Sequence, residues 1–560
     1  MASIRLRAVM GLMAAALAGC LTACTGAAAP TAPAGGPGAP DGGGQPKVNR
    51  LVMAMTLVKE NNDPRQLRTV DLLPLRPFYE YTVGVDQSDG KLIPQLATSW
   101  TVEPDGTSFR FQLRPGVKWH QDRGEFKASD LVDILKLQMR DETENRVIWV
   151  PLFKDIEAVN DREAIVRLKG ADSTFLTTFS EQRGVFPIFN PAHFSEMGTP
   201  TMQGTPPVGT GPYQFKERGV AQFTRYARVP YQHWRTTPDF PEFEFRFINE
   251  PSTRMAALVT GEVQIAELPD DLKTQAEKQG FKLIAGKVPT TQVYAAFYCC
   301  HVKDVKNLDA GWAVPNPKMG DVRVRKALSK ALNRDALNRT FFRGKGVPLY
   351  LASFEPARLG WNPEWEKRFA AEYGYDQAAA KALLADAGYS AANPLVISMV
   401  YPSEVRGGLG GEDLTDAIGN MWRAIGVNVQ NFQSDPGSRK SQTDALKLGD
   451  HVVVGATASD QWTSATSHGS TTPGALRGRE VELPAADALL GQIRTTLDDK
   501  KLDDLWRQVG NAYFEGARNA PLFTVPPDVA VNPSIVADWT FPGSMTGYWT
   551  HVFSIKAVRQ

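Results

Sequence analysis

The sequence predicts an α/β protein built in more than one lobe. Three observations carry that reading. Strand-like and helix-like stretches alternate along most of the chain. Its 560 residues exceed what a single core organises. Its content, 42% hydrophobic and 22% charged, is that of a globular chain, neither disordered nor membrane-embedded.

The N-terminal region stands apart. Residues 1–7 carry Arg5 and Arg7 and no acid, and residues 8–16 are uniformly apolar. That is the layout of a signal peptide, too short for a spanning helix. Two cysteines follow small residues, in Leu17-Ala18-Gly19-Cys20 and Leu21-Thr22-Ala23-Cys24. Both resemble the lipobox of bacterial lipoproteins, in which the cysteine is acylated and becomes the first residue after cleavage. Cys20 has the better consensus. Cys24 opens directly onto residues 25–46, almost entirely Ala, Gly, Pro and Thr, which cannot bury enough apolar surface to fold. Lipid attachment is therefore expected at Cys24, with Cys20 as the alternative. Residues 1–23 read as signal peptide and 24–47 as a flexible linker. No other stretch reaches about 18 consecutive apolar residues.

Charge excludes a further class. Lys and Arg number 62 against 61 Asp and Glu, which gives no electrostatic reason for a nucleic-acid partner. Cleavage removes two arginines and no acid, turning a net charge of +1 into −1. Four cysteines are too few for a disulfide scaffold.

Along the folded part, residues 51–58 read as a first strand, ended by Asn61-Asn62-Asp63-Pro64. Residues 109–113 alternate apolar and polar after the turn Pro104-Asp105-Gly106-Thr107. Ala128-Ser129-Asp130 opens a helix. Residues 242–248 alternate strictly; Ser252 is expected to cap a helix that Gly261 stops, before a strand over 263–265. The rhythm continues with helices over 322–337, 377–386, 414–425 and 502–515 and strands over 291–298, 395–401 and 427–432. Residues 522–555 read as short strands and turns, and no fixed-period repeat is present.

Catalytic chemistry finds little footing. Seven histidines show no His-Glu-x-x-His spacing, and no Gly-x-Ser-x-Gly elbow occurs; Gly543 to Gly547 places Ser544 one position off. Gly407-Gly408-Leu409-Gly410-Gly411 lacks the lysine of a phosphate loop and reads as a flexible loop. Cys299-Cys300-His301 leaves three readings open: inert buried thiols, a vicinal disulfide, or soft-metal ligands. The expectation is no catalytic residue, no metal and no cofactor.

Five segments in order carry a resemblance. They are Ile93-Pro94-Gln95-Leu96-Ala97-Thr98-Ser99-Trp100 running on through Trp119-His120 to Ala128-Ser129-Asp130; Pro207-Val208-Gly209-Thr210-Gly211-Pro212-Tyr213, with Tyr231 and Trp234 beyond; Leu258-Val259-Thr260-Gly261-Glu262-Val263; Asp321-Val322-Arg323-Val324-Arg325-Lys326-Ala327-Leu328; and Tyr375-Asp376 with Ala387-Gly388-Tyr389. Together they resemble the family 5 extracellular solute-binding proteins of ABC transporters, the oligopeptide-, dipeptide- and nickel-binding group. Arg323 and Arg325 read as surface or domain-pinning groups rather than ligand contacts.

The resemblance implies a two-lobed periplasmic-binding-protein-like (type II) fold with an extra inserted domain. It places residues 48–75, 203–288 and 520–560 in one lobe, 76–202 in the insertion and 289–519 in the second lobe. It implies capture of a peptide or other small polar solute in the cleft, delivery to permease subunits, and a monomer held by its lipid on the outer face of the cytoplasmic membrane, or periplasmic. Ligand contacts are expected from loops after strands: Lys59 and Glu60, Tyr401 and Arg406, Asp460 and Trp462. Peptide-binding relatives often carry a Gly-Trp-x-Ala-Asp-Tyr-like run whose Asp pairs with a peptide amine. Here the run is Gly455-Ala456-Thr457-Ala458-Ser459-Asp460, so Ser459 replaces that Asp, with Asp460 one position later as the alternative, and the case for amine recognition weakens. The rival functions are a secreted lipoprotein hydrolase, a metal-handling protein, or a surface adhesin or signalling module.

Overall fold

The computed structural model describes residues 44–57, 62–66, 73–143, 145–198, 204–288, 291–356, 358–400, 411–432, 436–457, 460–466, 477–543 and 549–560. Strand β1 (Arg50–Met55) opens a first sheet. The hairpin β2 (Val83–Val85) and β3 (Leu92–Pro94) follows. A small antiparallel sheet comes next, from β4 (Ala97–Val102), β5 (Ser108–Leu113), β6 (Phe153–Asn160) and β7 (Glu163–Leu168). The chain then returns to the first sheet through β8 (Tyr213–Gly219), β9 (Phe223–Arg228), β10 (Glu242–Phe247), β11 (Ile265–Ala266) and β12 (Lys282–Ala285). A second sheet takes β13 (Thr291–Tyr298), β14 (Val347–Pro348), β15 (Val396–Val400), β16 (Asn428–Phe432), β17 (His451–Thr457) and β18 (Asn519–Val525). Strand β19 (Asp528–Val531) closes the first sheet, and β20 (Val536–Asp538) pairs with β21 (Lys556–Ala557).

The first sheet runs β12-β19-β11-β1-β10-β9-β8 and the second β14-β18-β13-β17-β15-β16. This is the α/β, two-lobed architecture that the sequence implied. Strand β1 shows why an uninterrupted apolar run serves here. Leu51, Met53 and Met55 enter one core, and Val52 and Ala54 another on the opposite face. In β13, Val293, Ala295 and Phe297 pack in the main core of the second sheet, while Tyr294 and Ala296 turn to the other face.

Several expectations shift in detail. The boundary expected before residue 520 falls inside β18, which pairs with β13 and β14 and so belongs to the second sheet. All seven residues of β18 are buried, so its apolar run carries no sign of which sheet receives it. The single helix expected over 322–337 is two, Val322–Lys330 and Arg334–Phe341. Asn333 divides them, its side chain accepting the Ala336 N–H at 3.0 Å. Ser252 is not a cap: the helix Pro251–Thr260 begins on Pro251 after Glu250. Gly209 and Gly211 answer to close approach: a Cβ on Gly209 would stand 2.0 Å from the Phe78 carbonyl oxygen. Arg325, 5% exposed, donates to the Gly516 and Gly320 carbonyls and pins helix Val322–Lys330, whereas exposed Arg323 pairs with Asp321.

Candidate functional site: the inter-lobe cleft

Strand pairing alone locates the cleft. The chain passes between the sheets twice, once between Ala285 and Thr291 and once between Val525 and Asp528, and the ends of the two crossings lie side by side. Ala285 pairs with Asp528 at one end and Thr291 with Val525 at the other. Strands β10 and β11 run parallel to β1, and β12 shares their direction because both β11 and β12 are antiparallel to β19. The carboxyl ends of β1, β10, β11 and β12 therefore meet at the edge where the crossings leave. In the second sheet β13 starts at the crossing, β17 is antiparallel to it, and β15 and β16 are parallel to β17. The carboxyl ends of β15, β16 and β17 thus face the same crossing. Ligands of open α/β sheets bind outside carboxyl ends, and here two sets of carboxyl ends confront one another.

On the first lobe these ends are held by Arg254 of helix Pro251–Thr260, which is 4% exposed. Its guanidinium donates to the carbonyls of Ile248 at 2.6 Å and Asn249 at 3.0 Å after β10, and of Glu267 after β11. The Glu267 carboxylate accepts the Thr56 N–H at 3.2 Å and the Asn249 side chain the Leu57 N–H at 3.1 Å. The chain leaving β1 is fixed from both neighbouring strands.

On the second lobe Gln292, 1% exposed, organises the wall. Its Oε1 accepts the Ser353 N–H at 2.8 Å, and its Nε2 donates to Glu355, which is paired with Arg358. Ser353 Oγ and Ser464 Oγ lie 2.8 Å apart, joining this cluster to helix Gln461–Thr466. Near the crossings Asp528 links the lobes. It takes Lys273 at 2.6 Å and Arg343 at 2.8 Å. Burial raises the Asp528 carboxyl, but Lys273 and Arg343 outweigh it and hold the group below the usual carboxylate range.

Of the expected contact residues, Lys59, Glu60, Tyr401 and Arg406 lie outside the described residues, as do Cys20 and Cys24. The strands preceding those four candidates, β1 and β15, do end at the cleft edge. Asp460 does as well, but its Oδ1 accepts the Thr463 N–H at 2.8 Å, capping helix Gln461–Thr466. Trp462 packs on the helical core of the second lobe, edge-on to Trp506 with centroids 6.5 Å apart. Sequence reasoning missed Arg254, Gln292 and Glu267. The signal available for Gln292 was one amide inside the otherwise apolar run of β13.

Two other features are separate from this cleft. A cavity of about 370 Å³ lined by Asp86, Arg235, Thr540, His551 and Lys556 among others draws entirely on the first-lobe side of the crossings. Cys299 and Cys300 are bonded to each other, which leaves neither sulfur a thiolate for a metal. Among the described residues no three His, Cys, Asp or Glu side chains gather in a metal-binding group.

The model of the bacterial extracellular solute-binding proteins, family 5, matches residues 91–468. The chain belongs to this family. A dipeptide-binding protein of Escherichia coli is 28% identical over 335 residues, covering 56% of this chain and 58% of the relative. A glutathione-binding protein, GsiB, of Pectobacterium atrosepticum is 30% identical over 319 residues, 56% of either chain. The matches thus span little more than half the length of these curated relatives. Among solved structures, the periplasmic binding protein DppA of Helicobacter pylori, in complex with the peptide STSA, superposes with a TM-score of 0.71 at 20% identity, covering 91% of this chain and 98% of its own. NikA of Brucella suis, in complex with Fe(III)-EDTA, gives 0.72 at 18%, covering 91% and 100%. At these identities the superpositions establish the fold. No helix among the described residues is long and apolar enough to cross a membrane.

Proposed function

We propose that the chain is the substrate-binding lipoprotein of an ABC importer, capturing a peptide or another small polar solute and delivering it to permease subunits. The observation that carries this reading is the confrontation of two carboxyl-end edges across a paired crossing. Such a geometry suits a binding protein whose lobes, divided at residues 286–290 and 526–527, swing to enclose a solute. Within this reading residues 76–202 form the inserted domain. The binding subunit hydrolyses nothing, ATP being consumed by other subunits.

Relatives named for dipeptides and glutathione favour a peptide-like solute, while Ser459 in place of the family's Asp favours one without a free α-amine. A nickel chelate or an opine fits that second condition as well. The protein acts as a monomer, tethered outside the cytoplasm through a lipid on Cys24 or Cys20, and residues 25–46 let it turn toward its permease.

Native mass spectrometry of the gently purified protein tests both halves. A retained small solute and a diacylglyceryl mass on the N-terminal peptide support the reading. An unmodified N-terminus in Cys20→Ala, Cys24→Ala and wild-type protein alike removes the tether.

A further inference from the structure

The two sides of the crossings meet a second time, through the insertion. The loop after β7 reaches the last turn of helix Pro484–Thr495. The Ser173 N–H donates to the Arg494 carbonyl at 2.8 Å, and Ser173 Oγ to the Ile493 carbonyl at 2.8 Å. Arg494 Nε donates to Asp172 Oδ2, also at 2.8 Å. Asp172 is only 4% exposed, and its other oxygen accepts the Thr174 N–H and hydroxyl, so the carboxylate is aimed before the arginine arrives. Alongside, Leu497 lies against Gly106, 3.1 Å from where a Cβ would stand.

A helix C-terminus leaves up to four carbonyls without helical partners. Here the opposite side of the cleft supplies the donor for the Arg494 carbonyl, a second bond to the Ile493 carbonyl, which also accepts the Thr496 N–H, and a carboxylate for the terminal arginine. A swing that parts the loop at Asp172 and Ser173 from this helix end breaks these bonds and returns the Arg494 carbonyl to water. We infer that Asp172, Ser173 and the turn at residues 493–497 form a latch that sets the open–closed balance of the cleft, Arg494 being a positioning residue rather than a solute contact. The inference rests on the hinge reading above, and its test needs no solute.

Hydrogen exchange on the ligand-free protein reads the latch through the Ser173 amide. Its acceptor is a carbonyl, which Arg494→Gln leaves in place. With the side-chain bond lost, Ser173 exchange should rise about five-fold, as fits a partly exposed charge pair. The radius of gyration from small-angle scattering should rise with it. Arg494→Lys should recover part of the protection, and Ser173→Ala should expand the protein as Arg494→Gln does. The Thr178 amide, bonded to the Thr174 carbonyl inside the insertion, should exchange as in wild type. Unchanged Ser173 exchange in Arg494→Gln and an unchanged radius in both variants would overturn the latch. So would equal acceleration at Thr178, which would mark local unraveling. Loss of solute binding as a function would appear instead as a flat response to solutes in wild type, a different measurement.

Discussion

Replacing Arg254 with methionine removes the donor group that holds three carbonyls at the cleft edge. The side chain keeps much of its volume, so the loss is mainly electrostatic. Each buried carbonyl left without a donor costs about 1–3 kcal/mol. Water entering beside Asn249 and recovered apolar burial trim the sum to about 3–5 kcal/mol. An unfolding entropy of about 2.1 cal/mol/K per residue amounts to roughly 1 kcal/mol/K for about 500 folded residues, so Tm should fall by about 3–5 °C. Arg254→Lys should lose an intermediate amount, because an ammonium cannot span three separated carbonyls. Calorimetry of the purified variants measures this, and proteolysis after β10 should accelerate in Arg254→Met. Melting within about 1 °C of wild type would refute the assignment of Arg254 as the tie between these strand ends.

Burial pushes His120, His301 and His551 down from 6.5 to about 4. Between those values the unfolded chain binds more protons than the folded one, so Tm should be level above pH 7, decline from about pH 6.5 to 4, and lose no more through these groups below that. His120→Gln should remove about a third of that decline. Gly209→Ala should cost about 3 kcal/mol or more, seen as loss of soluble protein or a lowered Tm, because the new Cβ meets the Phe78 backbone. The peptide spanning residues 299–300 should be lighter by two hydrogens than its dithiol form, and neither sulfur should be alkylated even in denaturant until a reductant is added, since a disulfide carries no thiol.

What the sequence made legible follows from locality. Alternation in residues 242–248, the turn at Gly261 and the apolar run of β1 are local patterns, and each element stands where it was expected. The loops after β1 and β15 could be named because a strand's end is itself a local feature, whereas residues 459–462 were named through the family resemblance, with no strand expected before them. Their shared edge could not, since it depends on pairings such as Arg50 with Glu242 and Gln292 with Thr457, far apart in the chain. Asp460 and Trp462 look alike in sequence whether they meet a solute or serve their own helix and core; the geometry gives each a partner within the protein. Ser173 and Ile493 are 320 positions apart, and no periodicity announces that contact.

Solute capture is tested most directly by thermal melting of the full chain against a panel of peptides, glutathione, opines, sugars and nickel chelates. A binder at a hundred times its Kd adds about 2.7 kcal/mol, which at roughly 1 kcal/mol/K raises Tm by about 2–3 °C. The prediction is at least one such solute, with a shift that grows with the logarithm of its concentration. A flat response across the whole panel at millimolar solute would contradict the account.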